Sequence, residues 1–195
     1  MKKGPPSATA VRILDVAQRL TQIRGFNAFS YADISRELRI RSASIHYHFP
    51  SKAALGRGLV ARYRETFLAC LGEILERAPR APDQLRLYVG IWSGVLRQGH
   101  RMCLCGMMAS DIATLPKAMR EEVRRFFDEN EAWLARVLAA GRDARELRLS
   151  AAPETEARLL AMGLEGAMLV ARSYGEPARF DEIAARLLQV VGVKV

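Results

Sequence analysis

Apolar residues recur along the chain at three- and four-residue intervals, and no long stretch alternates between apolar and polar residues. In the first such stretch Ile13, Ala17 and Leu20 share one helical face, and Gly25 is placed to end the helix. Later stretches predict helices over residues 31–38, 42–49, 51–77, 82–98, 103–112, 117–140, 153–174 and 179–191. The pattern therefore predicts an all-α protein of nine helices.

Single residues predict where several of these helices begin and end. Ser30 and Ser51 stand where N-caps belong, at the starts of the second and fourth helices. Gly141 and Gly175 are expected to end the helices of residues 117–140 and 153–174.

The second and third predicted helices are short and are joined by a tight turn at residues 39–41. That is the layout of a helix-turn-helix, in which the second helix lies in the DNA major groove. The third predicted helix carries serine, histidine and tyrosine side chains, which can form hydrogen bonds with bases. The sequence therefore predicts a three-helix DNA-binding domain followed by a bundle of six helices.

Charge supports a nucleic-acid partner. The chain of 195 residues has a net charge of +9, and residues 1–52 carry nine lysines or arginines against three acidic residues. A basic segment of this kind favours a polyanion, and phosphate contacts supply most non-specific affinity for DNA.

Cysteine content and the start of the chain predict the cellular compartment. Three cysteines cannot form a disulfide framework, which suits a reducing cytoplasm. The basic residues at the start precede no apolar run, and no stretch is long enough to cross a bilayer. We expect a soluble cytoplasmic protein without a membrane partner.

The helix-turn-helix residues resemble the signature of the TetR family of repressors, and the resemblance extends over about residues 10–60. The matching residues are Asp33, Ile34, Ser35, His46, Tyr47, His48, Phe49, Ser51 and Lys52. The family has glycine in the turn and serine at the cap of the third helix, where this chain has Arg39 and Arg41. A non-glycine residue in a left-handed turn costs roughly 1 kcal/mol. We therefore expect a strained Arg39 or an altered turn, with Ser42 as an alternative cap.

The resemblance assigns DNA-contacting roles to individual residues. It implies that the N-terminal half of the third helix faces base edges with Ser42, Ala43, Ser44 and His46. Tyr47 and His48 would lie near the DNA backbone, and Lys52 would bind a phosphate. Ser30 and Tyr31 would contact another phosphate, and Arg39 and Arg41 would bring two guanidinium groups close to the DNA.

The resemblance also predicts the domain organisation and the activity. It implies a DNA-binding domain over residues 1–52 and an effector-binding and dimerisation domain over residues 53–195. The expected protein is a homodimeric transcriptional repressor that holds a palindromic operator in double-stranded DNA until an unknown small-molecule effector releases it. It needs no cofactor and is not an enzyme.

The sulfur-rich stretch of residues 101–110 allows several interpretations. It resembles the corresponding stretch of electrophile- and oxidant-sensing TetR repressors, which makes Cys103 a candidate thiol sensor beside Arg97, His100 and Arg101. Alternatively, Cys103 and Cys105 are small core residues. A metal site is not predicted, because the Cys-x-Cys pair supplies only two ligands. A thiol enzyme would use Cys103 as nucleophile and His100 as base, but no orienting group is visible.

A pocket for an apolar ligand is a further interpretation of the second domain. Methionine and aromatic side chains adapt to irregular guests, although such residues are more often plain core. The candidate effector-binding or sensing residues are Trp92, Cys103, Cys105, Met107, Met108, Phe126, Trp133, Met162 and Tyr174.

Small residues in the eighth predicted helix indicate close helix approach, because glycine inside a helix costs about 1 kcal/mol relative to alanine. Together with the last helix, this stretch resembles the dimer surface of the TetR family. The candidate interface residues are Gly163, Gly166, Ala167, Ala171, Leu187, Leu188 and Val191. Glu165 interrupts this apolar stretch, and three roles are open for it: a place at the rim, a pair with Arg172 or a partner residue, and a ligand contact.

Overall fold

The computed structural model describes residues 7–194, and this part of the chain contains nine α-helices, two single-turn 3-10 helices and no β-strand. The all-α prediction is confirmed. The helices are α1 (Ala8–Arg24), α2 (Tyr31–Leu38), α3 (Ser42–His48), α4 (Lys52–Arg77), α5 (Ala81–Arg97), α6 (Leu104–Ser110), α7 (Lys117–Asp143), α8 (Pro153–Tyr174) and α9 (Pro177–Val190). The 3-10 helices are Phe26–Ala28 and Ile112–Thr114. Over the described residues, no helix has both the length and the apolar character that a bilayer crossing requires.

The chain forms two compact units. The first unit contains the residues up to Arg64 together with Leu104–Arg124, and the second contains Glu65–Cys103 and the residues from Arg125 onward. The first unit therefore includes the predicted helix-turn-helix segment, the first half of α4, and the segment around α6.

Most of the predicted helix ends are confirmed. Gly25 follows α1 with φ 93° and donates its N–H to Thr21 O. Ser30 is the N-cap of α2, and Ser51 Oγ accepts a hydrogen bond from Ala54 N at 3.1 Å at the start of α4. Gly175 ends α8 in the left-handed conformation, with φ 69°. Each of these residues satisfies backbone groups that a helix end leaves unpaired.

Several predicted helix boundaries are wrong, and α9 begins at Pro177 rather than at residue 179. Gly141 does not end α7, which continues to Asp143. A Cβ atom on Gly141 would lie 2.5 Å from Leu147 Cδ1 and 2.6 Å from Ala81 Cβ, so glycine is needed here for close packing. The helix predicted over residues 103–112 instead begins at Leu104 and ends at Ser110, so Cys103 precedes it.

An aliphatic core holds the first unit together. Ile13 of α1, Ile34 of α2 and Ile45 of α3 are completely buried, as are Leu55 and Leu59 of α4. Full burial of each such side chain contributes about 1.5–3 kcal/mol. This shared core fixes the positions of α1, α2 and α3 relative to one another.

An aromatic core occupies the second unit. The rings of Tyr88 and Trp133 are stacked, with centroids 5.5 Å apart, and Trp92 lies 6.1 Å from Tyr88. Phe67 contacts this group and lies 5.0 Å from Phe126. Ring pairs of this kind add about 0.5–1.5 kcal/mol beyond the area they bury.

Replacing Gly141 by alanine tests the close packing around α7. We expect Gly141→Ala to lower the free energy of unfolding by about 1–3 kcal/mol, because the new methyl group overlaps Leu147 and Ala81. Gly90→Ala is the matched control, since nothing lies within 4 Å of its added Cβ inside α5. That control should raise stability by about 0.5–1 kcal/mol. Equal effects of the two variants in urea unfolding would contradict the packing role.

Candidate nucleic-acid interface and buried polar cluster

The start of α2 is fixed by Ser30 and Asp33. The backbone N–H and the hydroxyl of Ser30 both donate to Asp33 Oδ2, each at 2.8 Å. The backbone bond is the main reason that the pKa of Asp33 is lowered, and the hydroxyl adds to it. The N–H and the hydroxyl proton of Ser30 are therefore both used within the chain, and neither is left to donate to a phosphate.

The turn between α2 and α3 depends on Arg39. This residue has φ 54° and ψ 42°, the left-handed conformation in which an arginine is strained. The N–H of Ile40 donates to Ser35 O at 3.2 Å and closes the turn. Arg41 occupies the N-cap position of α3 without a side-chain hydrogen bond, and Ser42 is the first helical residue rather than the cap.

The outer face of α3 is open to solvent. Ser42, Ala43, His46 and Tyr47 are exposed, with Tyr47 at 82%, whereas Ser44 and His48 are half-buried. Arg39 and Arg41 are also exposed. The structure thus brings hydroxyl, imidazole, phenol and guanidinium groups together along one short helix and the turn before it.

Hydrogen bonds connect α2, α3 and the start of α4. The Tyr31 hydroxyl donates to Phe49 O at 2.7 Å, and the Tyr31 ring lies 4.8 Å from the His46 ring. The Lys52 ammonium donates to Phe29 O and lies over the Phe29 ring at 4.7 Å. Desolvation is the main cause that lowers the pKa of Lys52. The Tyr31 bond holds the C-terminal end of α3, since Phe49 is its C-cap, and the Ile40–Ser35 bond closes the turn before its N-terminal end.

Comparison with known proteins identifies this arrangement. The family model of bacterial regulatory proteins of the tetR family matches residues 13–57, and that of the tetracyclin repressor-like C-terminal domain matches residues 81–187. This chain belongs to the TetR family. The resemblance to the TetR family that the sequence indicated is therefore confirmed. Members of the family are DNA-binding transcription regulators with a helix-turn-helix.

Individual relatives of this TetR-family protein span most of its length. A TetR-family transcriptional regulator from Agrobacterium tumefaciens has 38% identity and a TM-score of 0.92, covering 96% of this chain and 99% of that one. The transcriptional repressor DhaR of Mycobacterium sp. (strain GP1) is 25% identical over 75% of this chain and 73% of its own length. The nucleoid occlusion factor SlmA of Vibrio campbellii (strain ATCC BAA-1116) is 24% identical over 88% of this chain and 89% of its own.

The candidate effector residues of this TetR-family protein fall into three groups. Trp92, Phe126 and Trp133 are buried in the aromatic core of the second unit. Cys105 and Met108 are buried and Met107 is half-buried in the first unit, on α6. Met162 and Tyr174 lie on α8 with 65% and 59% of their surface exposed, so they do not join the aromatic core.

Cys103 lies in the buried environment of its core interpretation rather than in that of an accessible thiol sensor. It is buried, with 2% exposed, and its N–H donates to Met168 Sδ at 3.3 Å. Its thiol hydrogen-bonds the carboxylate of Glu165. Burial and a neighbouring carboxylate both disfavour a thiolate. His100, the base of the alternative thiol enzyme, is exposed.

The candidate dimer residues are divided between a packed and an exposed surface. A Cβ on Gly163 would lie 2.8 Å from Leu187 Cδ1, so α8 and α9 pack closely within one chain. Ala171, Leu188 and Val191 are buried in the same chain, and Ala167 is half-buried. Gly166 is exposed, with open space where a Cβ would be. The same face of α8 exposes Leu159, Met162, Leu169, Val170 and Tyr174.

Glu165 and Asn130 form a buried polar cluster with Tyr88, Trp133 and Cys103. Asn130 is 1% exposed, and its Oδ1 accepts the Tyr88 hydroxyl at 3.0 Å. Asn130 was not among the candidate residues predicted from the sequence, although it lies on the helical face of Phe126 and Trp133, where a polar residue is unusual. Within the described residues, no group of three or more histidine, cysteine or acidic side chains could hold a metal ion.

The acidity of Glu165 makes stability depend on pH. Burial is the main cause that raises its pKa from 4.5 to about 7. As pH rises from 4.5 to 7, the unfolded chain loses this proton while the folded chain keeps it, so the free energy of unfolding falls. Above about pH 7 both states are ionised and the fall ends.

Glu165→Gln should remove this pH-dependent decrease in the free energy of unfolding. In urea unfolding, the variant should gain stability over the wild type between pH 4.5 and 7.5, by at most about 3 kcal/mol. Glu154→Gln, an exposed carboxylate at the start of α8, should keep the wild-type pH dependence. If the free energy of unfolding depends on pH in the same way in Glu165→Gln and the wild type, the raised pKa of Glu165 is contradicted.

Proposed function

We propose that this TetR-family protein is a cytoplasmic homodimeric repressor that holds a palindromic operator through α3 and is released by a small-molecule effector. The observation that carries the proposal is the exposed face of α3. The Tyr31–Phe49 hydrogen bond fixes its C-terminal end, and the turn closed by the Ile40–Ser35 bond precedes its N-terminal end. A rigid helix that presents hydrogen-bonding side chains suits the major groove, where each base pair offers a distinct pattern of donors and acceptors.

Base and phosphate contacts are divided between the helix and its surroundings. Ser42, Ser44 and His46 reach base edges, and Ala43 offers a methyl contact. Tyr47 and His48 lie at the sugar-phosphate backbone, whereas Ser30 has no donor left for a phosphate, because its N–H and its hydroxyl both bond Asp33. Arg39 and Arg41 supply exposed charge for phosphates. Tyr31 and Lys52 are internally bonded, so their main contribution is to orient the helix, and Lys52 still offers two further donors.

The exposed apolar face of α8 supports the proposed homodimer. Leu159, Met162, Leu169 and Val170 recur at helical spacing, and the exposed Gly166 lies between them. An apolar patch of this kind on a water-facing helix marks an interaction surface. A second copy placed on this face buries it, and the missing side chain at Gly166 permits close approach of the two helices. Met162 and Tyr174 then belong to the interface rather than to an effector pocket.

A reversibly bound small molecule is the better-supported effector. A thiol sensor needs a reactive, accessible thiolate, but Cys103 is buried beside a carboxylate. The second unit instead contains polar groups buried among aromatic rings, which is typical of ligand sites. The relatives include both a transcriptional repressor and a nucleoid occlusion factor, and this polar cluster favours a regulator with an effector.

Substitutions in α3 should separate base contacts from phosphate contacts. With an operator selected from random DNA, Ser44→Ala and His46→Ala should each lose about 1–3 kcal/mol at particular base pairs and relax the preference there. Arg39→Gly should weaken binding to all sequences and reduce the slope of log affinity against log salt by about one. Because glycine relieves the left-handed strain, this variant should be folded at least as stably as the wild type.

Arg136→Ala, which removes an exposed charge from α7 in the second unit, is the control and should leave operator affinity unchanged. A change of sequence preference in Arg39→Gly with an unaltered salt slope would show that the roles are assigned wrongly.

A charge on the apolar face of α8 should prevent dimerisation. Leu169, 58% exposed, lies next to Val170 on this face, so Leu169→Glu should yield monomers in light scattering and a large loss of operator affinity. Leu75→Glu places the same charge at an exposed leucine of α4 and should remain dimeric. A dimeric, DNA-competent Leu169→Glu protein would place the interface elsewhere.

A further inference from the structure

The carboxylate of Glu165 is shielded from solvent within the second unit. Neither of its oxygens accepts a hydrogen bond from a nitrogen or oxygen donor of the described residues, and both oxygens are buried. The Cys103 thiol is the neighbour that hydrogen-bonds it, and a thiol is a weak donor. Among the described residues, no cationic side chain lowers the pKa of this carboxyl group. An acid in such a place lacks the partner that buried charges require.

Buried donors of the same core also lack acceptors, and the indole nitrogen of Trp92 is one of them. The side-chain nitrogen of Asn130 and the indole nitrogen of Trp133 are buried, and neither has a hydrogen-bond partner among the described residues. Tyr88 connects these groups, since its hydroxyl bonds Asn130 Oδ1 at 3.0 Å and its ring stacks on Trp133. The negative charge of an ionised Glu165 also acts on the Tyr88 hydroxyl.

These groups share one chemical character. A folded core leaves few buried polar groups unpaired, and each one costs about 1–3 kcal/mol, with charged groups costing more. The cluster combines a negatively charged hydrogen-bond acceptor, hydrogen-bond donors and the faces of aromatic rings. It is therefore complementary to a molecule that carries a positive charge, an apolar body and an oxygen acceptor.

We propose that Glu165, Asn130, Trp133 and Tyr88 form a recognition site for an organic cation, a protonated amine whose ammonium group faces the Glu165 carboxylate. The aromatic rings contact its apolar body and add cation–π attraction. Asn130 and Trp133 donate to an oxygen of the ligand. This inference rests on the proposed function in that it takes the amine to be the effector, and it names the chemical class of that effector.

Charge distinguishes an amine from other occupants. An anionic ligand would be repelled by Glu165, and a neutral alcohol would give the carboxylate one hydrogen bond while leaving its charge uncompensated. An ammonium group supplies both the donors and the opposite charge, and such charge-assisted bonds are about twice as strong as neutral ones. Ordered water could also pair these groups, in which case small molecules would not bind here.

Tryptophan fluorescence reports directly on this site, because the two tryptophans of the chain, Trp92 and Trp133, both lie in the aromatic core. The purified protein is titrated at pH 8 with 4-(4-methoxyphenyl)butylamine, 4-(4-methoxyphenyl)butanol and 5-(4-methoxyphenyl)pentanoate, which share the aromatic ether and a four-methylene chain and differ only in the polar end. We expect the amine to bind at least about ten-fold more tightly than the alcohol, and the carboxylate to bind most weakly.

Glu165→Gln should abolish this selectivity. The ratio of alcohol to amine dissociation constants should fall to about one, while Glu154→Gln should keep the wild-type ratio. The proposal is overturned if the alcohol or the carboxylate binds the wild type as tightly as the amine, if Glu165→Gln retains the selectivity, or if none of the three probes changes the fluorescence.

Operator binding without any probe separates this inference from the proposed function. Normal operator binding with no amine selectivity would remove only the ligand assignment. Amine selectivity in a protein that binds no operator would remove the repressor proposal and leave the cation site standing.

Discussion

The packing of α3 against α1 and α2 is the constraint on which the DNA-binding interpretation depends. A helix of seven residues is too short to be stable alone in water, so its conformation comes from tertiary contacts. Ile45 is the buried residue of α3, in the unit whose core also includes the fully buried Ile13 of α1 and Ile34 of α2, and the Tyr31 bond fixes the C-terminal end of α3. Because the Ile45 face of α3 is buried, the opposite face exposes Ser42, Ala43, His46 and Tyr47 to solvent.

Charge is used in opposite ways in the two units. The first exposes guanidinium groups around α3, where phosphates can reach them, and the second buries the Glu165 carboxylate with the Cys103 thiol. Cys103 is the last residue before α6. The segment after α6 belongs to the first unit, where Thr114 accepts a hydrogen bond from the Asn27 side chain at 2.9 Å. Occupying the cluster can release DNA only if the ligand binds the DNA-incompetent conformation more tightly than the competent one.

Local chemistry allowed much of this fold to be predicted from sequence. Ser30, Gly25 and Gly175 act within a turn of their own position, and their roles as helix ends are confirmed. The role of Gly141 was predicted wrongly because glycine is needed there for a tertiary contact, the close approach of Leu147 and Ala81. The same limit applies to the candidate site. Residue type suggested Trp92 and Trp133 as lining a pocket, but the sequence could not show that Asn130 and the Glu165 carboxylate would be buried without full partners, or that Met162 would face outward.

The spacing of half-sites tests the central claim most directly, namely that two copies of α3 read one operator as a rigid pair. Five base pairs, half a helical turn, are inserted at the centre of the selected inverted repeat, and binding of the wild-type dimer is measured at fixed salt. Because the insertion rotates one half-site to the opposite face of the DNA, affinity should fall to the non-specific level, roughly a thousand-fold or more. Unchanged affinity after the insertion would contradict the account, since it would mean that single chains bind their half-sites independently.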